Sequence, residues 1–133
     1  MRILIDTNIL ISAAYSRTGV ARKAYDKAVR PPYQGLICEQ SLDEFWRICS
    51  RKFPTKIKDF EGFIAEAMSA IEIVSIPPSK HPDEDEIRDI DDRPIIRAAI
   101  KAGADILLTG DKDFTESSVK NPKIMTAAQF MQD

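Results

Sequence analysis

The chain has 133 residues, 44% of them apolar and 30% charged, which is one domain's worth with enough material for a buried core. A net charge of −2 argues against a protein that grips DNA chiefly through a large basic face. The two cysteines, Cys38 and Cys49, have no CxxC spacing, no stretch approaches the roughly 20 apolar residues of a membrane span, and the first residues enter a strand directly, so a cytoplasmic protein with two buried thiols is expected and no membrane association.

Residues 2–6 are a short apolar run ending in Asp6, the pattern of a strand buried on both faces. Helical stretches over 8–15 and 20–30 follow, broken at Ser16-Arg17-Thr18-Gly19 and stopped by Pro31-Pro32. Residues 35–38 read as a second strand, and helices are expected over 41–52 and 56–70, divided near Pro54. The first of these carries an apolar stripe of Leu42, Phe45, Trp46 and Cys49. Ile71 to Ile76, rich in β-branched residues, is a third strand. Pro77-Pro78 opens a polar loop reaching Asp91, with a helix over 92–102 that ends on Gly103, a favoured left-handed cap residue. Ile106 to Thr109 is a fourth strand, Lys123 to Met125 a fifth, and Ala127 to Met131 a last helical turn or two. The alternation predicts a single α/β domain over residues 1–133, with helices on both faces of a parallel sheet of four or five strands.

In such a fold each helix begins near the carboxyl end of the strand before it, and ligands bind outside that edge. Asp6 and Asp111 end strands, whereas Glu44 and Asp92 stand in the first turns of helices that start there, so all four are expected to converge. Like charges repel, and hard oxygen ligands of this kind suit Mg²⁺ or Mn²⁺. With the four set aside, 17 acidic side chains face 19 basic ones, and two bound Mg²⁺ would bring the net charge from −2 to +2. A polyanionic substrate is therefore compatible with the composition. Asp105 opens the fourth strand and should lie at the opposite edge, outside any ligand set.

Each carboxylate also has a plainer reading. Ser41-Leu42-Asp43-Glu44 fits a capping box, Asp92 fits a helix N-cap followed by Pro94, and Asp111 fits a turn residue. Asp6 resists this, because a carboxylate ending a buried strand must find a partner or a cation. From Asp83 to Asp92 seven of ten residues are acidic, and 83–86 reads as a solvated loop. Asp91 competes with Asp92, which stands three residues before the first apolar helical turn at Ile95. His81, the single histidine, lies in the loop and is assigned no role, and Ser-His-Asp schemes find no support. No glycine-rich phosphate loop is present.

Three blocks, Ile5-Asp6-Thr7-Asn8-Ile9-Leu10, Asp91-Asp92-Arg93-Pro94-Ile95-Ile96 and Gly103 to Phe114 (GADILLTGDKDF), together with Glu44, resemble the PIN-domain family in order and across nearly the whole chain. These are metal-dependent ribonucleases, many of them the VapC-like toxin half of a prokaryotic toxin–antitoxin pair. The resemblance implies a PIN-like, Rossmann-like α/β/α sandwich and an endoribonuclease using one or two Mg²⁺ or Mn²⁺. It carries Asp6, Glu44, Asp92 and Asp111 over as the acidic catalytic and metal-binding set. Asp91 and Asp113 follow as further acidic positions, Asp89 as an outer participant, and Asn8 and Thr109 as supports that hold the ligands by hydrogen bonds. Ile90 and Arg93 depart from the family's Pro and Asp, which leaves Asp91 and Asp92 in competition. RNA as substrate, a cognate antitoxin protein and a homodimer are further implications. Independently of the resemblance, the exposed helical hairpin from Phe53 to Phe63 is read as a partner or dimer surface.

Three other readings compete. One is a PIN nuclease of RNA processing rather than a toxin. A haloacid-dehalogenase-like phosphohydrolase would need an acid two residues beyond Asp6, where Asn8 stands. A phospho-receiver domain would need its acceptor Asp directly after the third strand, where Pro77-Pro78 stands.

Overall fold

The computed structural model describes residues 1–132. Five strands form one parallel sheet: β1 (Arg2–Ile5), β2 (Gln34–Cys38), β3 (Ile71–Val74), β4 (Ile106–Leu108) and β5 (Lys123–Met125), in the order β3-β2-β1-β4-β5. The helices are α1 (Thr7–Tyr15), α2 (Val20–Ala28), α3 (Glu39–Lys52), α4 (Ile57–Ala70), α5 (Arg93–Lys101), α6 (Lys112–Thr115) and α7 (Ala127–Gln132).

Period-two alternation along the strands feeds two cores. Ile3, Ile5, Ile37, Ile106 and Leu108 pack with α1, α2, α3, α4 and α7. Leu4, Leu36, Cys38 and Leu107 pack on the other face with α5, Phe114 of α6 and Ile87. The central strands are buried on both sides, which explains why they read as continuous apolar runs. Cys38 and Cys49 are both buried and free, as expected. Among the described residues no helix is long and apolar enough to cross a membrane.

Several boundaries differ from expectation. The helix expected from residue 41 starts at Glu39, directly after β2, with no side-chain cap. The capping-box reading of Ser41 and Glu44 therefore fails: Ser41 is buried inside the helix, and Glu44 lies in its second turn. The third strand ends at Val74 rather than Ile76. The short helix α6, four residues long, was not anticipated. On Gly103 the expectation holds: its φ is +68°, and the Gly103 and Ala104 amides donate to Ile100 and Ala99 as in a Schellman motif.

The acidic segment is not a solvated loop throughout. Residues Pro82–Glu86 form a 3₁₀ turn, and Glu84 is only 1% exposed. Its carboxylate accepts hydrogen bonds of 3.0 and 2.8 Å from the Arg97 guanidinium and one of 2.6 Å from the His81 amide. His81 Nδ1 in turn accepts from the Asp83 amide, so the histidine caps the turn. Arg97 also donates to the Pro77 carbonyl and Arg93 to that of Ile87. Between these anchors Ile87 is fully buried. Two arginines of α5 thus pin the segment from Pro77 to Asp92 to the sheet's carboxyl edge.

Candidate metal centre

Strand order reverses between β1 and β4, both of which neighbour each other while their chain connections run to opposite sides. Such a switch point is where ligands settle in open α/β sheets. Ile5 pairs with Leu108, and the Asp6 amide extends the ladder by donating to the Leu108 carbonyl at 3.0 Å. Asp6 and Thr109 are the next residues on the two strands, side by side. Thr109 Oγ1 donates to Asp6 Oδ2 at 2.7 Å and accepts from the Asp111 amide at 3.0 Å. The Thr7 amide donates to Asp6 Oδ1 at 2.8 Å, which makes Asp6 the N-cap of α1.

Asp6, Glu44, Asp92 and Asp111 line a single pocket together with Thr7, Asn8, Ile11 and Ile48. Convergence of the four is thus a feature of the fold. Glu44 enters from the second turn of α3, with the Arg47 guanidinium 3.8 Å away. Asp111 caps α6 by accepting from the Asp113 amide. Asp92 stands at the N-cap position of α5, yet its side chain makes no capping bond. It remains turned to the other carboxylates.

Asp92, not Asp91, faces the pocket. Asp91 is exposed, its amide donating to Asp89 Oδ1 at 2.9 Å. Beside the pocket, one carboxylate oxygen from each of Asp89, Asp92 and Asp113 lies within 4.8 Å of the others. Asp92 is common to both groups. Arg88 closes the outer flank by donating to Asp113 at 2.8 Å. Asn8 lines the pocket from an exposed position, but among the described residues no hydrogen bond joins it to a carboxylate. Hydrogen bonds to the Asp6 carboxylate come from Thr109, as expected, and from the Thr7 amide. Asp105 lies at the opposite edge, where it accepts from the Arg2 amide at 2.7 Å.

Crowding leaves its mark on protonation. Burial pushes the Asp6 carboxyl up to about 6 against the pull of hydrogen bonds from Thr109 and Thr7, with the charges of Asp111 and Glu44 adding to the rise. Asp92 is pushed up to about 7, first by burial and then by Asp111, Asp89, Asp6 and Asp113. Carboxylates sharing one edge raise one another's pKa because each added charge is unfavourable. A divalent cation would relieve that repulsion, and an all-oxygen donor set fits Mg²⁺ or Mn²⁺.

The fold and its edge define a parallel α/β domain with an acidic cluster at the switch point. The family model for the PIN domain matches residues 2–113, and the chain belongs to that family. It is 25% identical to an uncharacterised protein, MJ1680, of Methanocaldococcus jannaschii, in an alignment covering 100% of this chain and 91% of that protein. In fold it is similar to VapBC2 from Rickettsia felis, solved bound to a DNA fragment from their promoter, with a TM-score of 0.70 and 18% identity over 95% of this chain and 98% of that one. A second similar structure is Mycobacterium tuberculosis VapC20, a sarcin–ricin loop cleaving toxin, with a TM-score of 0.62 and 16% identity over 86% of this chain and 93% of that one.

Proposed function

We propose that the protein is a metal-dependent endoribonuclease that hydrolyses RNA phosphodiester bonds, of the kind that serves as the toxin of a toxin–antitoxin pair. The observation that carries this reading is the single pocket shared by Asp6, Glu44, Asp92 and Asp111 at the β1/β4 switch point. Membership of the PIN-domain family and likeness in fold to VapC toxins support it. They weigh against the phosphohydrolase and receiver readings. The receiver reading also lacks a site, since β3 is an edge strand remote from β4.

Asp6, Asp92 and Asp111 would hold Mg²⁺ or Mn²⁺, with Glu44 either completing the set or orienting the attacking water. The ion would supply a Lewis acid that polarises the phosphate and acidifies that water. The chain's own part is placement. Thr109 and the Thr7 amide fix both oxygens of Asp6, while Thr109 also holds the Asp111 backbone. The half-buried Ile11 and Ile48 restrict water on the α1–α3 side. Hydrolysis forms a bond from the water oxygen to phosphorus and breaks the bond to the leaving ribose oxygen, which takes up a proton. The test is cleavage of structured and single-stranded RNA by purified protein in Mg²⁺, Mn²⁺ or EDTA. Cleavage in metal that EDTA abolishes is expected, and intact RNA in every metal would overturn the reading. The toxin role predicts a neighbouring reading frame whose small product co-purifies and inhibits cleavage.

A further inference from the structure

The acidic pocket and a larger basic cleft lie at opposite ends of helix α1. Two helices leave the site together: α1 from Asp6 and α3 past Glu44. Ile11 and Ile48 lie between them at the pocket end. At the far end the Tyr15 ring meets Phe53, which follows α3, with centroids 5.0 Å apart. A larger cleft of about 640 Å³ begins there, lined by Tyr15, Arg17, Arg22, Lys56 and Lys58 against only Asp59 and Glu66 among acidic groups. Along the α3 wall Arg47, 71% exposed, stands beside Glu44, and Arg51 is exposed one turn further on.

Tyr15 is unusual for its setting. Half of it is exposed, although Phe60 and Phe63, which line the same cleft, are buried in the core. The Lys56 ammonium lies 4.6 Å from its ring centre. A partly exposed aromatic ring in a cleft lined mainly by cations is what single-stranded nucleic acid binds, through base stacking and phosphate pairing. From Asn8 to Tyr15 α1 rises roughly 10 Å at 1.5 Å per residue, which a stacked strand covers in about three nucleotides at 3.4 Å each.

We propose that the surface from the acidic pocket along α1 and α3 to this cleft acts as a trough for the single-stranded RNA flanking the scissile bond, with Tyr15 as the stacking platform and Arg51, Lys56 and Arg17 as phosphate contacts. The proposal rests on the nuclease reading and adds the direction in which the substrate leaves the site. An incoming base displaces the Lys56 ammonium from the Tyr15 face onto the adjoining phosphate. The Phe53–Phe63 hairpin, expected as a partner or dimer surface, buries Phe60 and Phe63 and lines the cleft with Lys56 and Lys58.

The test uses a fluorescein-labelled 12-nucleotide single-stranded RNA of mixed sequence, bound to the full chain in EDTA so that cleavage does not intervene. Tyr15→Ala weakens binding about tenfold and Tyr15→Phe restores it, as expected for stacking. Arg51→Ala and Lys56→Ala each weaken binding and lower the slope of log K against log salt by about 0.7. In Mg²⁺ or Mn²⁺ the same variants raise KM while kcat at saturation stays unchanged. Equal RNA binding by parent and variants overturns the trough, even if the parent cleaves RNA. Normal trough-dependent binding without cleavage in any metal overturns the nuclease reading instead. Unaltered RNA binding combined with loss of a co-purifying protein from the Tyr15→Ala variant would assign the cleft to a protein partner and overturn the proposal.

Discussion

Thr109 Oγ1 donates to Asp6 Oδ2 at 2.7 Å while accepting from the Asp111 amide at 3.0 Å, so one buried hydroxyl couples the ends of β1 and β4. Both partners are carboxylate-bearing residues, one held through its side chain and the other through its backbone. The hydroxyl therefore sets how far apart two of the proposed ligands stand.

Thr109→Val keeps the shape and deletes the hydroxyl. It strands a buried carboxylate oxygen and a backbone amide, at a cost of about 1–3 kcal/mol. It also removes the leading hydrogen bond that holds the Asp6 pKa down, so Mn²⁺ binding should weaken and shift to higher pH. Denaturant unfolding and calorimetric Mn²⁺ titration check this. Unchanged affinity and midpoint would show that the hydroxyl is passive.

Stability of the metal-free protein should fall as pH rises across the weakly acidic range. An unfolded aspartate titrates near 3.9, whereas Asp6 and Asp92 titrate at about 6 and about 7 in the fold. Between those values the folded chain binds more protons than the unfolded one, so unfolding becomes easier with increasing pH. For buried Asp6 the effect is on the order of 3 kcal/mol. Glu84 acts in the opposite sense, since hydrogen bonding to Arg97 lowers its pKa. Its contribution is lost only at lower pH, as pH falls through its depressed folded value. Melting in EDTA should thus give a lower Tm at about pH 8 than at about pH 5. Added Mg²⁺ or Mn²⁺ should raise Tm far more at the higher pH, because metals bind the deprotonated carboxylates. A Tm in EDTA that climbs over this range would contradict the assigned shifts.

The sheet and the convergence of Asp6, Glu44, Asp92 and Asp111 were legible in the chain because short apolar runs alternate with helical periodicity, and strand ends fix where a carboxylate emerges. Glu44 was legible in place but not in context: Ser41 and Glu44 mimic a cap, and only the early start of α3 at Glu39 shows that they are not one. The burial of Glu84 is hidden in the sequence because seven acids in ten residues look solvated, and its partner Arg97 lies outside that run. The spacing of His81 and Glu84, a capping-box interval before a turn, was the available signal. The arrangement of Asp89, Asp92 and Asp113 depends on how that pinned segment lies against α6, which no local pattern encodes.

Glu84→Ala should destabilise the fold by roughly 3–5 kcal/mol, the cost of orphaning a buried charged partner. The effect should reach the site, since Glu84 anchors the segment carrying Asp89 and Asp92. Glu84→Gln, which retains acceptor geometry for one bond, should fall between. Urea unfolding measures the first effect and Mn²⁺ affinity the second. A Glu84→Ala protein as stable as the parent would mean that the pair is merely tolerated.

The sharpest contrast lies between two aspartates at opposite ends of neighbouring strands. Asp6 is 8% exposed at the carboxyl end of β1, among carboxylates. Asp105 precedes β4 at the other edge, exposed, and accepts from the Arg2 amide. Asp6→Asn should lower Mn²⁺ affinity at least about tenfold, a loss that even outer-shell changes can produce, and abolish RNA hydrolysis. Its Tm in EDTA should be unchanged or higher, because the substitution removes a buried charge from a repelling group while the amide can still meet Thr7 and Thr109. Asp105→Asn should leave metal affinity and hydrolysis at parental levels and alter stability only slightly. Each substitution removes one negative charge, so a difference between them reports position rather than net charge. Equal losses in both variants would point to a diffuse electrostatic effect instead of a metal centre at the β1/β4 edge.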